Sequence, residues 1–297
     1  MRLYARLKKA VKAKAHSLRW RREKAYTDAF LSEMHSRAAS FGVTDAVWRT
    51  PSGMGTANQV SPKGLVQIAA RSMQSSVLRD IWSCDSATIH VYGANEREID
   101  VQHIMNYPPL RDSYQILGWK SGTWSGKERN YINCVMAVKG PEENQIMLGA
   151  VMDCTGNASD PDRYIALKEL FDAASHGGLE QSDQTEAFVS HAGKACCGVF
   201  YTDRKDMCYP VNQNADLLSV PASTIKLLTC LLALDYLSLE EKVKILPFDL
   251  VRGSGQIFRS NDIVTVRDLL FAALLPSSNQ AATALARCAG RCIVNHK

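Results

Sequence analysis

A serine and a lysine three positions apart open the most apolar helix that the sequence predicts, and this segment constrains the fold most. It reads Pro-Ala-Ser-Thr-Ile-Lys at residues 221–226, followed by Leu-Leu-Thr-Cys-Leu-Leu-Ala-Leu at residues 227–234. A helix that is apolar on all sides has to be buried in a large core. The chain can build such a core, because 46% of its 297 residues are hydrophobic and 22% are charged. This composition excludes global disorder.

Ser223 and Lys226 can act together, because residues three apart lie on one face of a helix. A serine hydroxyl is a poor nucleophile unless a base takes its proton. A lysine amine can be that base when burial and a neighbouring cation lower its pKa. Taken alone, Ser-x-x-Lys is common by chance, and without further context the motif favours an exposed helix start.

A second string, Leu-Leu-Pro-Ser-Ser-Asn at residues 274–279, places Ser277 and Asn279 at a predicted helix start, where a hydroxyl can face a cleft. The structural alternative is that Ser277 caps the helix.

A third string, Gly-Trp-Lys-Ser-Gly-Thr at residues 118–123, is predicted at the end of a strand over residues 116–120. There Lys120, followed by Ser121, Gly122 and Thr123, would let a ligand backbone lie along the strand edge. The alternative is an ordinary strand end with a surface lysine.

The remaining pattern predicts a mixed α/β chain. Helices are expected over residues 28–41, 61–73, 162–174, 225–237 and 266–274. Strands are expected over residues 88–92, 131–138 and 146–152, the last two joined by a polar turn at residues 140–144. A hairpin is expected over residues 196–202 and 207–211.

The positive charge is concentrated at the start of the chain. Residues 1–24 contain ten basic residues and one acidic residue, whereas the whole chain carries only +5. We expect a basic leader helix over residues 1–25. Such charge runs are typical of solvated helices, and contact with an anionic membrane surface is the functional alternative. No apolar run resembles a secretory signal or a membrane span, and no nucleic-acid partner is expected.

The cysteines predict neither a disulfide framework nor a metal site. There are nine, so they cannot all pair. Cys288, Cys292 and His296 could share a helix face, but structural metal sites usually have four ligands. We expect mostly free thiols, no metal and no cofactor.

Together the three strings resemble the signatures of penicillin-binding proteins, namely Ser-x-x-Lys, Ser-x-Asn and Lys-Ser/Thr-Gly. The chain is most similar to the low-molecular-weight D-alanyl-D-alanine carboxypeptidases over roughly residues 26–178 and 187–290. Further segments carry the likeness, at residues 30–43, 50–54, 135–148, 220–229 and 264–270. The resemblance implies a β-lactamase/transpeptidase-like α/β (α+β) fold, with a five-stranded antiparallel sheet flanked by helices plus a helical subdomain.

The order of the motifs departs from the family, where Lys-Thr-Gly comes last. Here Lys120 precedes Ser223, so residues 26–178 resemble the later half of the family's domain and residues 187–297 the earlier half. This pattern predicts a circular permutation, with residues 179–186 as the linker between the halves. Permutation is tolerated where the old termini are close. The alternatives are a tandem protein cut at its junction, a faulty gene model, or completion of the site between two chains.

For catalysis, the resemblance implies that Ser223 is the acylating nucleophile and Lys226 its general base. Ser277 would relay the proton to the leaving amine, and Asn279 would orient Lys226 and the substrate amide. The substrate would be the D-Ala-D-Ala end of a peptidoglycan peptide, and β-lactams would be trapped on Ser223.

For binding, the resemblance implies that Lys120 and Thr123 hold the terminal carboxylate, with Ser121 or Gly122 lining that edge. The backbone N–H groups of Ser223 and Thr123 would form the oxyanion hole. The family works in the bacterial cell envelope, outside the cytoplasm. Carboxypeptidase, endopeptidase and transpeptidase activities share these motifs.

Other functions stay open. A class A β-lactamase needs a loop glutamate for deacylation, and no Glu-x-x-x-Asn string lies in the corresponding region. A non-catalytic relic and a binding module that uses the leader are the remaining alternatives.

Overall fold

The computed structural model describes residues 2–103, 107–126, 129–154, 161–176, 195–202 and 207–296. The α-helices in these ranges are α1 (Arg2–Ala39), α2 (Pro62–Gln74), α3 (Ser76–Trp82), α4 (Pro108–Ser113), α5 (Asp162–His176), α6 (Lys226–Leu234), α7 (Val266–Leu274) and α8 (Asn279–Asn295). The strands are β1 (Ser86–Val91), β2 (Arg97–Gln102), β3 (Ile116–Ser125), β4 (Asn130–Lys139), β5 (Gln145–Met152), β6 (Ala195–Thr202), β7 (Met207–Gln213), β8 (Lys242–Lys244) and β9 (Ile263–Thr265). Among the described helices, none combines the length and apolar character needed to cross a bilayer.

Five strands form an antiparallel sheet in the order β3-β4-β5-β6-β7. At its centre β5 pairs with β6, with Gly149 opposite Gly198. These two strands lie on opposite sides of the predicted linker, residues 179–186, which falls outside the described residues. The early segment of the chain, residues 26–178, and the late segment, residues 187–297, therefore share one sheet. Two small two-stranded sheets, β1-β2 and β8-β9, lie outside it.

One face of this sheet is covered by α5. Leu170 and Phe171 of the helix pack with Met136 and Val151 of the sheet, and all four are buried. The helix comes close to the strands because Gly149 has no side chain there. A methyl group on Gly149 would lie 2.8 Å from Leu170 and 2.9 Å from Phe171.

The other face packs against α2 and the helical part of the chain. Alternate residues point to opposite faces of a strand, so Val135 and Ala137 of β4 join this second core. The apolar residues of α6 are buried in it, as the composition of that helix predicts. This core draws on the early and the late segment alike.

Helix α1 is a single helix that includes both the basic leader and the first predicted helix. Phe30, Met34 and Ala38 are spaced by four residues and are buried. Beyond its end, Gly42 has φ +86°, as expected for a C-terminal stop. Near its middle, α1 meets α8 so closely that a methyl group on Gly290 would overlap the backbone carbonyl of Tyr26.

Three local predictions are corrected by the structure. The Lys-Ser-Gly string does not end a strand but lies within β3, which continues to Ser125. The predicted helix over residues 225–237 begins as a 3-10 turn, Ala222–Ile225, and its α-helical part ends at Leu234. The cap of α8 is Ser278, whose side chain accepts a hydrogen bond from Ala281 N, so Ser277 is not the cap.

Candidate active site

Ser223 and Lys226 meet at the start of α6. The 3-10 turn Ala222–Ile225 leads directly into α6, and this places the two side chains on one face. Lys226 Nζ lies 2.7 Å from Ser223 Oγ. Ser223 is half-buried whereas Lys226 is 0% exposed. The hydroxyl is therefore open to a ligand while its neighbouring amine is shielded from water.

The second string supplies two further contacts to the same amine. Lys226 Nζ donates to Asn279 Oδ1 at 2.8 Å and to Ser277 Oγ at 3.3 Å. All three side chains are buried. The four residues predicted as catalytic thus share one hydrogen-bonded cluster centred on Lys226.

The amine of Lys226 has a pKa well below its usual value, because burial penalises its charged form and the positive charge of Lys120 acts in the same direction. Cys230, one helical turn further on, is a neutral thiol at ordinary pH, since burial raises its pKa to about 12. A larger neutral fraction of the Lys226 amine can accept a proton, as a general base must.

A loop over residues 252–256 fixes the position of Asn279. Its side chain donates to Arg252 O at 3.0 Å, and its backbone N–H donates to Ser254 O at 3.0 Å. Gly253 has φ +114°, and any side chain on it would overlap Asn279 Nδ2. With its amide donor committed to this loop, Asn279 presents its oxygen to Lys226.

Lys120 is completely buried in β3, and its Nζ donates to Ser121 O at 3.1 Å. Burial lowers the pKa of this amine to about 8. Gly122, two residues after Lys120 in the same strand, lies against the turn that carries Ser223. A methyl group there would lie 3.0 Å from the nitrogens of both Ser223 and Thr224. The strand predicted to bind substrate therefore passes beside the predicted nucleophile, although 103 positions separate Lys120 from Ser223.

Arg163 is a site residue that the sequence did not reveal. It lies in the first turn of α5, is 2% exposed, and donates through Nη1 to Thr123 Oγ1 at 2.9 Å. A buried guanidinium beside Thr123 strengthens the positive potential at this end of β3. An arginine at a helix start carries no pattern that separates it from a surface residue.

A loop from the early segment, residues 50–58, forms another wall of the turn. Gly53 has φ +79°, and a side chain on it would overlap the carbonyl of Ala222. Thr229 Oγ1 of α6 donates to Pro51 O at 2.6 Å. Asn58 holds the loop together by donating to Met54 O at 3.1 Å. Residues 50–54 resemble a segment of the family, but the sequence gives them no role beside Ser223.

No group of three or more potential metal ligands occurs within the described residues. Cys288 is buried, Cys292 is half-buried and His296 is exposed, at the end of α8. Burial raises the pKa of the Cys288 thiol to about 11.

A known protein family matches the late segment of the chain, which carries part of this site. Residues 181–296 match the family model described as the beta-lactamase enzyme family. The matched range contains the four residues clustered around the Lys226 amine, whereas Lys120 lies outside it. This segment is thus similar to serine β-lactamase and transpeptidase-like hydrolases. No curated protein matches the chain, and neither does any solved structure.

Proposed function

We propose that this protein is a serine D-Ala-D-Ala carboxypeptidase that acts on peptidoglycan stem peptides through an acyl-enzyme on Ser223. The observation that carries the proposal is the buried Lys226 amine 2.7 Å from the half-buried Ser223 hydroxyl. A side-chain base within hydrogen-bond reach of a serine is the geometry that nucleophilic acyl transfer needs.

In the acylation step, Ser223 Oγ attacks the carbonyl carbon of the penultimate D-alanine while its proton passes to neutral Lys226. The carbonyl π electrons move to oxygen, which becomes the oxyanion. When the C–N bond breaks, the leaving amine takes a proton relayed from Lys226 through Ser277, 3.3 Å away. The products are free D-alanine and an ester on Ser223.

In the deacylation step, Lys226 takes a proton from water, and the resulting hydroxide equivalent attacks the ester carbon. The C–Oγ bond breaks, Ser223 recovers its proton, and the shortened peptide leaves as a carboxylate. A β-lactam forms the corresponding ester by opening its ring. Its leaving nitrogen stays tethered to the acyl group, which favours slow release and hence inhibition.

The terminal carboxylate of the substrate would bind at the end of β3. Lys120, Thr123 and the buried guanidinium of Arg163 supply positive charge and donors there. Charge-assisted hydrogen bonds to a carboxylate are about twice as strong as neutral ones. Ser121 or Gly122 would line the edge, and the N–H groups of Ser223 and Thr123 would bind the oxyanion.

We further propose that the domain is circularly permuted. In support, β5 of the early segment pairs with β6 of the late segment, and β3 packs beside the turn that carries Ser223. The domain limits stay as predicted from the sequence: residues 1–25 as leader, 26–178 and 187–297 as the two halves, and 179–186 as linker.

The resemblance also leads us to propose work outside the cytoplasm, in the bacterial cell envelope. The basic leader would add a contact with an anionic membrane surface. Arg19, Arg21 and Arg22 are exposed, and so are Leu18 (57%) and Trp20 (45%). Cosedimentation of the full chain and of a chain lacking residues 1–22 with anionic vesicles tests this contact, and equal sedimentation would refute it.

A β-lactamase-like hydrolase is the second candidate, because the matched family is that of β-lactamases. The two activities differ in the lifetime of the acyl-enzyme. A carboxypeptidase keeps the penicilloyl ester for long times, whereas a β-lactamase releases it quickly. Decay of the label after free penicillin is removed separates the two.

The direct test is labelling with a fluorescent penicillin, with Ser223→Ala as the paired variant. We expect the wild type to be labelled on Ser223 and the variant to remain unlabelled. Release of D-alanine from a D-Ala-D-Ala peptide should likewise depend on Ser223. No Ser223-dependent label at saturating dose, together with no Ser223-dependent release of D-alanine, would exclude the carboxypeptidase proposal.

A further inference from the structure

The peptide bond between Ala222 and Ser223 is held in a strained position. Ala222 has φ +49°, a left-handed conformation that residues with a side chain rarely adopt. Such strain persists only where the surrounding structure imposes it. The N–H of this peptide belongs to Ser223 and is one of the two proposed oxyanion donors, so the groups that impose the strain also aim that donor.

Asn133 lies directly behind this turn. It is the central polar residue of an otherwise apolar stretch of β4, opposite Gly122 of β3, and is 0% exposed. Its Nδ2 donates to Val220 O at 2.9 Å and to Pro221 O at 3.1 Å. Its Oδ1 accepts from Asp153 N at 3.0 Å. Every hydrogen-bonding atom of this buried amide therefore has a backbone partner.

The two carbonyls that Asn133 holds immediately precede the strained residue. Fixing Pro221 O fixes the plane of the Pro221–Ala222 peptide, and the rotation at Ala222 then sets the direction of the Ala222–Ser223 peptide. Thr224 Oγ1 also donates to Pro221 O, at 2.8 Å. That second bond comes from within the turn, whereas Asn133 ties the turn to the sheet.

A second hydrogen bond secures the segment that leads into Pro221. Asp153, which donates its N–H to Asn133, accepts from Ser219 Oγ at 2.8 Å. Asp153 itself has φ +57°, so its side chain and its N–H both face this segment from an unusual backbone conformation. The link from Asn133 to Asp153 therefore anchors the residues that lead into Pro221.

Gly53 and Gly122 lie on opposite sides of the peptide between Ala222 and Ser223. Gly53 leaves room for the Ala222 carbonyl, and Gly122 lies beside the Ser223 nitrogen, where a methyl group would be 3.0 Å away. In a trans peptide the C=O and N–H point in opposite directions. The carbonyl therefore faces the loop over residues 50–58, and the N–H faces the β3 side, where the substrate carbonyl is proposed to bind.

We propose that Asn133 is a positioning residue for the acyl-transfer reaction. It imposes the strained Ala222 conformation and thereby directs the Ser223 N–H toward the substrate carbonyl. This inference rests on the proposed function for its kinetic consequence. The placement of the turn by Asn133 can be measured separately.

The test compares Asn133→Ala and Asn133→Asp with the wild type. The aspartate keeps the size of the side chain and the acceptor for Asp153 N–H, but it cannot donate to the two carbonyls. Thr265→Ala is the control for lost stability, because the side chain of Thr265 caps α7 in a box with Asp268.

We expect both Asn133 variants to acylate about 10- to 100-fold more slowly at saturating penicillin, since removal of an oxyanion donor costs about 10²- to 10³-fold. For the uncharged variant Asn133→Ala, the concentration for half-saturation and the pH profile should stay unchanged, because the carboxylate site and Lys226 are untouched. Thr265→Ala should lower the melting temperature and leave the saturating rate as in the wild type.

A second readout does not depend on activity. In ¹⁵N-labelled protein, the amide resonances of residues 222–224 should move in both Asn133 variants, and those of α7 should not. Wild-type rates together with unmoved resonances in Asn133→Ala would overturn the inference. If the wild type takes no label but these resonances move, the proposed function fails while the positioning of the turn by Asn133 stands.

Discussion

The charge of Lys120 should control the pH at which Ser223 becomes reactive. Lys226 accepts a proton only when it is neutral, and its pKa is lowered first by burial and then by the charge of Lys120. Because the pKa of Lys120 is itself about 8, Lys120 is largely charged on the acidic side of that value. Replacing it with glutamine removes a repelling cation, so the pKa of Lys226 rises.

The size of this effect follows from Coulomb's law. If the two unit charges are taken to be ~7 Å apart, they repel by ~2.4 kcal/mol at an effective dielectric constant of ~20. Since 1.36 kcal/mol equals one pKa unit, the acidic limb should move to higher pH by about 1–2 units. The limb moves to higher pH because a raised pKa leaves more of Lys226 protonated, and therefore inactive, at any given pH.

The assay is the rate of Ser223 acylation by a fluorescent penicillin as a function of pH. Lys120→Gln will also bind the penicillin carboxylate less well, so the position of the acidic limb is compared and not the absolute rate. Lys139→Gln is the matched control, because Lys139 is an exposed lysine at the end of β4. It removes the same charge far from Lys226 and should leave the profile in place.

An acidic limb at the same pH in Lys120→Gln and the wild type would refute the electrostatic coupling between the two amines. A shift of equal size in Lys139→Gln would also refute it, because the effect would then follow from net charge alone.

Two further predictions concern the contacts that join the early and late segments, and both use denaturant unfolding. Gly290→Ala should lower the free energy of unfolding by about 1–3 kcal/mol, because the methyl group overlaps the Tyr26 carbonyl at the α1–α8 crossing. The control Val294→Ala, at an exposed position of α8, should change this free energy little. Equal stability of both variants would contradict the close contact between α1 and α8. Arg97→Met should cost about 3–5 kcal/mol, because it leaves the fully buried Asp262 without its bidentate partner. A loss below 1 kcal/mol would mean that this pair does not hold the β1–β2 hairpin to the late segment.

Much of the secondary structure could be predicted because it follows from local pattern. The paired strands over residues 131–138 and 146–152 agree with β4 and β5, and the apolar run after Lys226 is the buried helix α6. The elements that were missed are short or polar. β2, β8 and β9 have alternations too brief to stand out, and in the part of the chain that the structure describes β2 pairs with β1 alone.

The candidate site divides in the same way. Ser223 and Lys226 are three residues apart, so helix geometry alone brings them together. The sequence marks Asn133 only weakly, as a single polar residue within an apolar strand, and it gives no sign that Arg163 belongs to the site. Their roles depend on which backbone segments pass nearby, and sequence spacing does not report that.

The sequence is sufficient to identify the reactive groups, namely a serine with a lysine one turn away, a Ser-x-Asn string and a Lys-Ser-Gly strand. It also shows that the chain has a core large enough to bury them. Tertiary packing brings the strand that carries Lys120 beside Ser223, which comes 103 positions later, and it shields Lys226 from water. The physical reason is that strand pairing joins distant parts of the chain, and that the pKa of an amine is set by its solvent and its neighbouring charges in space.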